Sequence, residues 1–263
     1  MLNFSWKEIY PGVIQIRDCM GVCMTLLKGS ERAILIDTGY GMEDVASFVR
    51  ELTLLPVTVV LTHGHHDHVL GARWFEKTYM MAEDRDEFLL RTGTEQREKV
   101  MAQAADKGIA VPDDYLSCSI PFPEAFTPGE YDLGEMTVRF IHVPGHTPGS
   151  IVGYIPKYEL MLSGDDWNPC TWLWFPSSVS IREWKKNMDE LVMTLPFTCV
   201  LCSHQYDLQP REKIDRFMSA INDESIETAE ADRLGGGIID TRHIMIPDDM
   251  IIEFDYRKSG RGQ

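Results

Sequence analysis

Four histidines and an aspartate fill five of six consecutive positions, His63-Gly64-His65-His66-Asp67-His68, in a chain that holds only eight histidines. The run follows the apolar stretch VTVVLT at 57–62, so it begins where a strand ends. Geometry restricts what can carry it. On a strand, His63, His65 and Asp67 would share a face while His68 turned away; on a helix, His65 and His68 would align without His63. No single regular element aims all of them at one point, but a loop at a strand end can aim them at two neighbouring points. A neutral imidazole binds a divalent metal at about 2.0–2.1 Å and a carboxylate oxygen at about 2.0–2.2 Å, so a two-metal site suits these residues. A purification tag would be terminal and would lack the preceding strand and the interposed Asp67.

The surrounding sequence supplies alternating elements. Stretches rich in β-branched residues at 12–16 (GVIQI), 22–27 (VCMTLL), 33–37 (AILID) and 57–62 end near Gly, Pro or charge and read as strands. Val45, Phe48, Val49 and Leu52 recur at helical spacing before Pro56, which predicts a helix between the last two. The layout returns downstream, with strands at 136–143, 150–155, 159–163 and 199–203 and a helix at 180–195. Residues 83–120 are mostly charged and helix-favouring and read as a helical insertion. The C-terminal region, 207–263, is expected to hold one helix from Pro210 to about Ala231, a break at Gly235-Gly236-Gly237, and strands at 238–246 and 250–256.

A chain of 263 residues with 44% hydrophobic content can bury a sizeable core, and one main domain over 1–263 is expected. The formal net charge of −16, with scattered lysines and arginines, argues against a nucleic-acid partner. No apolar run reaches the roughly 18–20 residues that span a bilayer, so a cytoplasmic protein with no membrane partner is expected. Six cysteines do not make a disulfide framework, and Cys199 and Cys202 read as two small buried thiols on a strand.

The histidine run, followed in order by VPGHTPGS at 143–150, LSGDD at 162–166 and VLCSH at 200–204 and preceded by LIDTGYG at 35–41, resembles the metallo-β-lactamase superfamily over roughly residues 10–205. The resemblance implies an α+β fold, the four-layer αβ/βα sandwich, with metals in a cleft at one edge. It implies that His63, His65 and His146 hold one metal, that Asp67, His68 and His204 hold a second, and that Asp165 bridges them. His66 falls at a variable position and takes no ligand role. Asp37 is expected to orient a ligand histidine, Asp166 is the rival for the bridge, His142 is a packed strand residue, and His243 lies apart from the site.

Two divalent ions, zinc with iron or manganese as alternatives, would generate a metal-bound hydroxide as nucleophile, with Asp67 steering its proton. No organic cofactor is called for. The motif spelling is most similar to the glyoxalase II and lactonase neighbourhood, which implies hydrolysis of a small ester, thioester or lactone. A phosphodiesterase on the same centre, or an iron-dependent oxidoreductase like the persulfide dioxygenases, is the alternative. The aromatic segment 166–176 offers Trp167 and Trp172 as substrate contacts, either in a pocket wall or in the core, and Tyr206 as a hydrogen-bond donor to a small-molecule substrate.

Overall fold

The computed structural model describes residues 3–231 and 240–260. The triple glycine at 235–237 and the first two residues of the strand expected at 238–246 lie outside the described residues.

The N-terminal half lays its strands side by side in chain order: β1 (Ser5–Tyr10), β2 (Val13–Arg17), β3 (Cys23–Lys28), β4 (Ala33–Ile36), β5 (Val57–Val60), β6 (Tyr79–Met80) and β7 (Glu124–Ala125). The first four form an antiparallel meander and the rest join in parallel. A parallel join needs a crossover. Between β4 and β5 it is α1 (Val45–Leu52), N-capped by Asp44, whose carboxylate accepts from the Ser47 amide.

Short helices α2 (His66–Val69), α3 (Arg85–Thr92) and α4 (Thr94–Asp106) follow β5. The second sheet takes β8 (Gly129–Asp132), β9 (Thr137–His142), β10 (Ile151–Ile155) and β11 (Leu160–Gly164), passes over β12 (Cys170–Leu173), and takes β13 (Cys199–Cys202) and β14 (Gln209–Pro210). Between β12 and β13 runs α5 (Ile181–Thr194). After β14 come α6 (Arg211–Ala220), α7 (Asp223–Glu227), β15 (Glu230–Ala231), β16 (Thr241–Ile246) and β17 (Met250–Asp255); the last three strands pair with β12 in a small third sheet.

Alternation along the strands builds the layers. Ile34, Ile36 and Val60 face inward and meet Phe140, Leu162 and Leu201 of the second sheet. Their sequence neighbours Leu35 and Val59 face outward against Phe48 and Val49 of α1. On the far side, Val152, Met161 and Val200 pack under Trp184 and Met188 of α5 and Phe217 of α6. Each such buried Leu, Ile, Val or Phe stabilises the fold by roughly 1.5–3 kcal/mol. Helix, sheet, sheet, helix is the four-layer αβ/βα arrangement.

Two local expectations change. The helix expected from Pro210 to Ala231 is two, because Asn222 caps a second start: its side chain accepts from the Ser225 amide while Ser225 Oγ accepts from the Asn222 amide. In the 83–120 segment the helices end at Asp106, and the residues after Gly108 form turns. Strand β1 gave no period-2 signal because, at the sheet edge, few of its side chains are buried. All six cysteines stand as free thiols.

Candidate metal centre

Strand ends of both sheets converge on the histidine run. After β5 the chain passes through Thr62 to His63 and then into α2, which carries Asp67 and His68. The turn between His63 and His65 passes so close to α3 that a Cβ on Gly64 would sit 2.9 Å from the Phe88 amide nitrogen. From the second sheet, the loop between β9 and β10 brings His146, the residue after β11 is Asp165, and the loop after β13 brings His204.

The side chains fall into two groups, His63 with His65 and His146, and Asp67 with His68, Asp165 and His204. In each, one ligating atom per residue lies within 4.8 Å of the others. His65 Nδ1 stands 2.8 Å from His146 Nε2. Asp165 Oδ2 stands 3.0 Å from His204 Nε2, 3.4 Å from His68 Nε2 and 3.7 Å from His146 Nε2, which puts it between the groups. Asp67 Oδ2 is 3.5 Å from His204 Nε2 and 3.6 Å from His68 Nε2.

A divalent cation fits this donor set. His63 Nε2, His68 Nε2 and Asp165 Oδ1 are buried and find no hydrogen-bond partner among the described residues, a costly condition that coordination relieves. Imidazole and carboxylate are also the donors such ions take. The opposite ring nitrogens are held from behind. His68 Nδ1 meets Asp37 Oδ2 at 2.9 Å, His63 Nδ1 meets Thr62 Oγ1 at 3.0 Å, and His146 Nδ1 donates to the Trp172 carbonyl at 2.7 Å. His65 Nε2 faces Glu87 at 3.5 Å.

Carboxylates fasten the loops. Asp84 accepts from the amides of Gly64 and Gly149 and from Thr147 Oγ1, tying the histidine run to the His146 loop. Asp166 accepts from the His146 amide at 2.9 Å and belongs to neither ligand group. Gly145 is required beside it, since a Cβ there would lie 2.4 Å from Asp166 Oδ1.

Burial sets much of the electrostatics. It lowers His63 well below the ordinary imidazole value and, reinforced by His146, takes His65 down to about 3. His146 is also lowered by burial. For His68, burial opposes the charge but Asp67, Asp165 and Asp37 outweigh it, and its pKa rises well above the ordinary value. His204 is raised against burial by Asp165. Burial lifts Asp84 to about 6. Glu87 is held low despite burial, by the neighbouring His65 ring and Ser177 hydroxyl and by the Arg91 guanidinium that donates to it.

A cavity of about 400 Å³ opens over His65, Asp67, His146, Asp165 and His204. Trp172, Phe175 and Tyr40 line it, and so does His66. A smaller cavity of about 280 Å³ adjoins it, sharing His146, Asp165, His204 and Trp172. Trp167 does not reach either. Its side chain is fully buried under the second sheet and packs edge-to-face on Phe217 at 6.1 Å, so the substrate contact expected of it is corrected to a core role. Tyr206 lines neither cavity; Lys7 lies over its ring at 4.1 Å. His142 donates from Nε2 to the Pro148 carbonyl in the loop after its strand, and His243 lies beside Glu230 in the third sheet.

The motifs left several contributors unseen. Asp84, Glu87 and Arg91 sit in a segment whose charge pattern reads as a solvated helix face, yet Asp84 is fully buried. Tyr40 was only part of the LIDTGYG spelling.

The fold and this paired donor set define a class of metal-dependent enzymes built on facing sheets. Residues 17–198 match the model of the metallo-β-lactamase superfamily, and the chain belongs to that superfamily. It is 30% identical over 191 residues to an uncharacterized protein of Aquifex aeolicus, covering 68% of this chain and 80% of that one. It is 26% identical to the acyl-coenzyme A thioesterase MBLAC2 of Gallus gallus, over 55% of this chain and 60% of the relative, and 26% identical to the hydroxyacylglutathione hydrolase GloC of Haemophilus influenzae, over 54% and 65%. These two relatives are therefore matched over less than two thirds of their length. Among solved structures, the metallo-β-lactamase family protein TTHA1429 of Thermus thermophilus superposes with a TM-score of 0.58 at 20% identity, over 84% of this chain and 82% of that one. A di-iron-bound TTHA1623 superposes at 0.54 with 22% identity, over 74% and 92%.

Proposed function

We propose that the protein hydrolyses a small ester, thioester or lactone with the help of two divalent cations, zinc in the first instance. The observation that carries this reading is the placement of Asp165 Oδ2, within 3.7 Å of three imidazole nitrogens drawn from both ligand groups. A single carboxylate shared in this way suits a two-ion centre, with His63, His65 and His146 on one side and Asp67, His68 and His204 on the other. Ions held there would polarise the scissile carbonyl and acidify an attacking water.

The chain's own groups would do the rest. Asp67, kept ionised against burial by His68, His66 and His204, holds and orients the proton of the attacking water. Asp37, Thr62 and the Trp172 carbonyl fix the imidazoles in the rotation the reaction needs. Trp172 and Phe175 shield an apolar part of the substrate. In the thioester case the acyl–sulfur bond breaks, the water oxygen joins the acyl carbon, and the thiol leaves with the proton. The thioesterase and hydroxyacylglutathione hydrolase among the relatives support this class, and the di-iron form of one structural neighbour supports iron as the alternative metal.

The test is a panel of thioesters, lactones and phosphodiesters run on protein of measured metal content. Turnover of thioesters or lactones by protein with close to two ions per chain is expected. Efficient phosphodiester cleavage with inert esters would overturn the substrate class, and stable saturation at one iron would overturn the two-ion hydrolase.

A further inference from the structure

Three cations line the larger cavity, Arg17, Arg91 and Lys107, in a chain of formal net charge −16. Apart from Asp67 and Asp165, already assigned to the metal ions, no carboxylate of the described residues lines that cavity. Arg91 is neutralised, because its Nε donates to Glu87 at 2.9 Å. The other two are not. Arg17 donates from Nε to the Gly21 carbonyl, and Lys107 donates from Nζ to the Met20 carbonyl, so both are pinned to the turn between β2 and β3 by neutral acceptors. The acid nearest Arg17 in sequence, Asp18, is turned inward and spent on the amides of Met20, Gly21, Val22 and Tyr40. The guanidinium Nη groups of Arg17 and the remaining Nζ donors of Lys107 are thus available, with neither residue paired to a carboxylate among the described residues.

The adjoining cavity contrasts with this. Beyond the shared site residues its lining is Asn168, Cys170 and Gln205, which carry no charged side chain. The cleft therefore has one cationic arm and one uncharged arm, divided at Trp172. Resting on the hydrolase reading above, we propose that the substrate carries an anionic group, a carboxylate or phosphate, that docks on Arg17 and Lys107 while the uncharged part of the molecule enters the arm lined by Asn168 and Gln205. The negative field of the whole chain would repel such a molecule, and a local pair of unneutralised cations is what admits it. Charge-assisted hydrogen bonds of this kind are the stronger ones available.

Matched thioesters test the idea: butyryl-N-acetylcysteamine, which is neutral; butyryl-N-acetylcysteine, which adds one carboxylate on the thiol side; and succinyl-N-acetylcysteamine, which adds one on the acyl side. For the metal-loaded protein, one of the anionic compounds is expected to show a kcat/KM about tenfold above the neutral one. Which of them does so tells which side of the scissile bond lies in the cationic arm. The ratio should fall toward one in the R17Q/K107Q double variant, invert in K107E, and shrink with added salt. Both positions are exposed, so folding is preserved. Equal rates for all three compounds in the wild type, or a preference that survives R17Q/K107Q, would overturn the proposal. If none is hydrolysed, the thioester branch of the hydrolase reading fails, and the anion site is judged by calorimetric binding of S-butyl-N-acetylcysteine against S-butyl-N-acetylcysteamine. Tighter binding of the first that R17Q/K107Q abolishes sustains the site, and equal binding removes it.

Discussion

Nδ1 of His68 lies 2.9 Å from Oδ2 of Asp37, and this contact decides that Nε2 is the nitrogen turned toward Asp67 and Asp165. Asp37 follows β4 with φ at 64°, a left-handed conformation that costs a non-glycine residue energy. The same carboxylate takes the Thr62 amide at 2.7 Å and Thr62 Oγ1, so it locks the strand ends of β4 and β5 as it aims the ring. Asp37→Ala should weaken the cation held by Asp67, His68 and His204 by about 10–100-fold, as loss of such supporting contacts commonly does. Competition with a chromophoric chelator reads this directly. Unchanged affinity in the variant would show that the contact has no part in holding the metal.

Asp67 and His66 are neighbours with opposite expected importance. Asp67 Oδ2 points into the second group, whereas His66 Nδ1 lies 3.9 Å from Asp67 Oδ1 and its ring meets Tyr40 edge-on at 5.5 Å. Asp67→Ala should lower kcat by about 10²–10⁴-fold and reduce metal content toward one ion per chain. His66→Ala should leave metal content near two, even though His66 reaches the cavity wall. A His66 variant as depleted of metal as a His65 variant would reverse the two assignments.

The pH dependence of metal retention follows from the burial and charge of the histidines. Protons and cations compete for the same nitrogens, so affinity falls when a ligand imidazole is protonated. A raised pKa means the proton is held below that value and released above it. His68 and His204, both raised, should therefore let go of their cation first as pH falls through the range above about 6.5. His63, His65 and His146, all lowered by burial, stay neutral there and retain theirs. Equilibrium dialysis from about pH 8 to pH 5.5 should show stepwise loss, one ion and then the other. Simultaneous loss at a single midpoint would count against two sites of different character.

The central strands were legible as short apolar runs because they are buried on both faces, Ile34 and Ile36 pointing one way and Ala33 and Leu35 the other, and α1 because its buried residues recur on one helical face. The ligand candidates were legible because five polar residues in six positions have no reason to follow a buried strand. What could not be read was distance. Nothing in a one-dimensional pattern says that Asp84 reaches Gly149, or that Arg17 and Lys107, ninety residues apart in roughly that order, meet the same turn. The break after Ala220 was hidden because Asn222 acts as a cap only in company with Ser225, a pairing a helical charge pattern masks.

Trp167 and Trp172 were indistinguishable in sequence, and the structure gives them opposite roles that mutation can separate. Trp167 is fully buried among Phe217 and its neighbours, so Trp167→Ala leaves a large cavity and should cost about 3–5 kcal/mol of stability. Trp172 is 39% exposed, lines both arms of the cleft and touches Trp174 and Phe175. Its link to the metal centre is the backbone carbonyl that accepts from His146 Nδ1, which an alanine keeps. Trp172→Ala should therefore cost less than about 1 kcal/mol in stability. Its effect should fall on substrate binding: KM rises severalfold while kcat changes less, because the ring grips the apolar portion equally before and during reaction. Chemical denaturation and steady-state kinetics on the two variants make the comparison. A Trp172 variant that loses kcat with KM unchanged would mean that the ring acts in the transition state itself, and a Trp167 variant of native stability would contradict its place in the core.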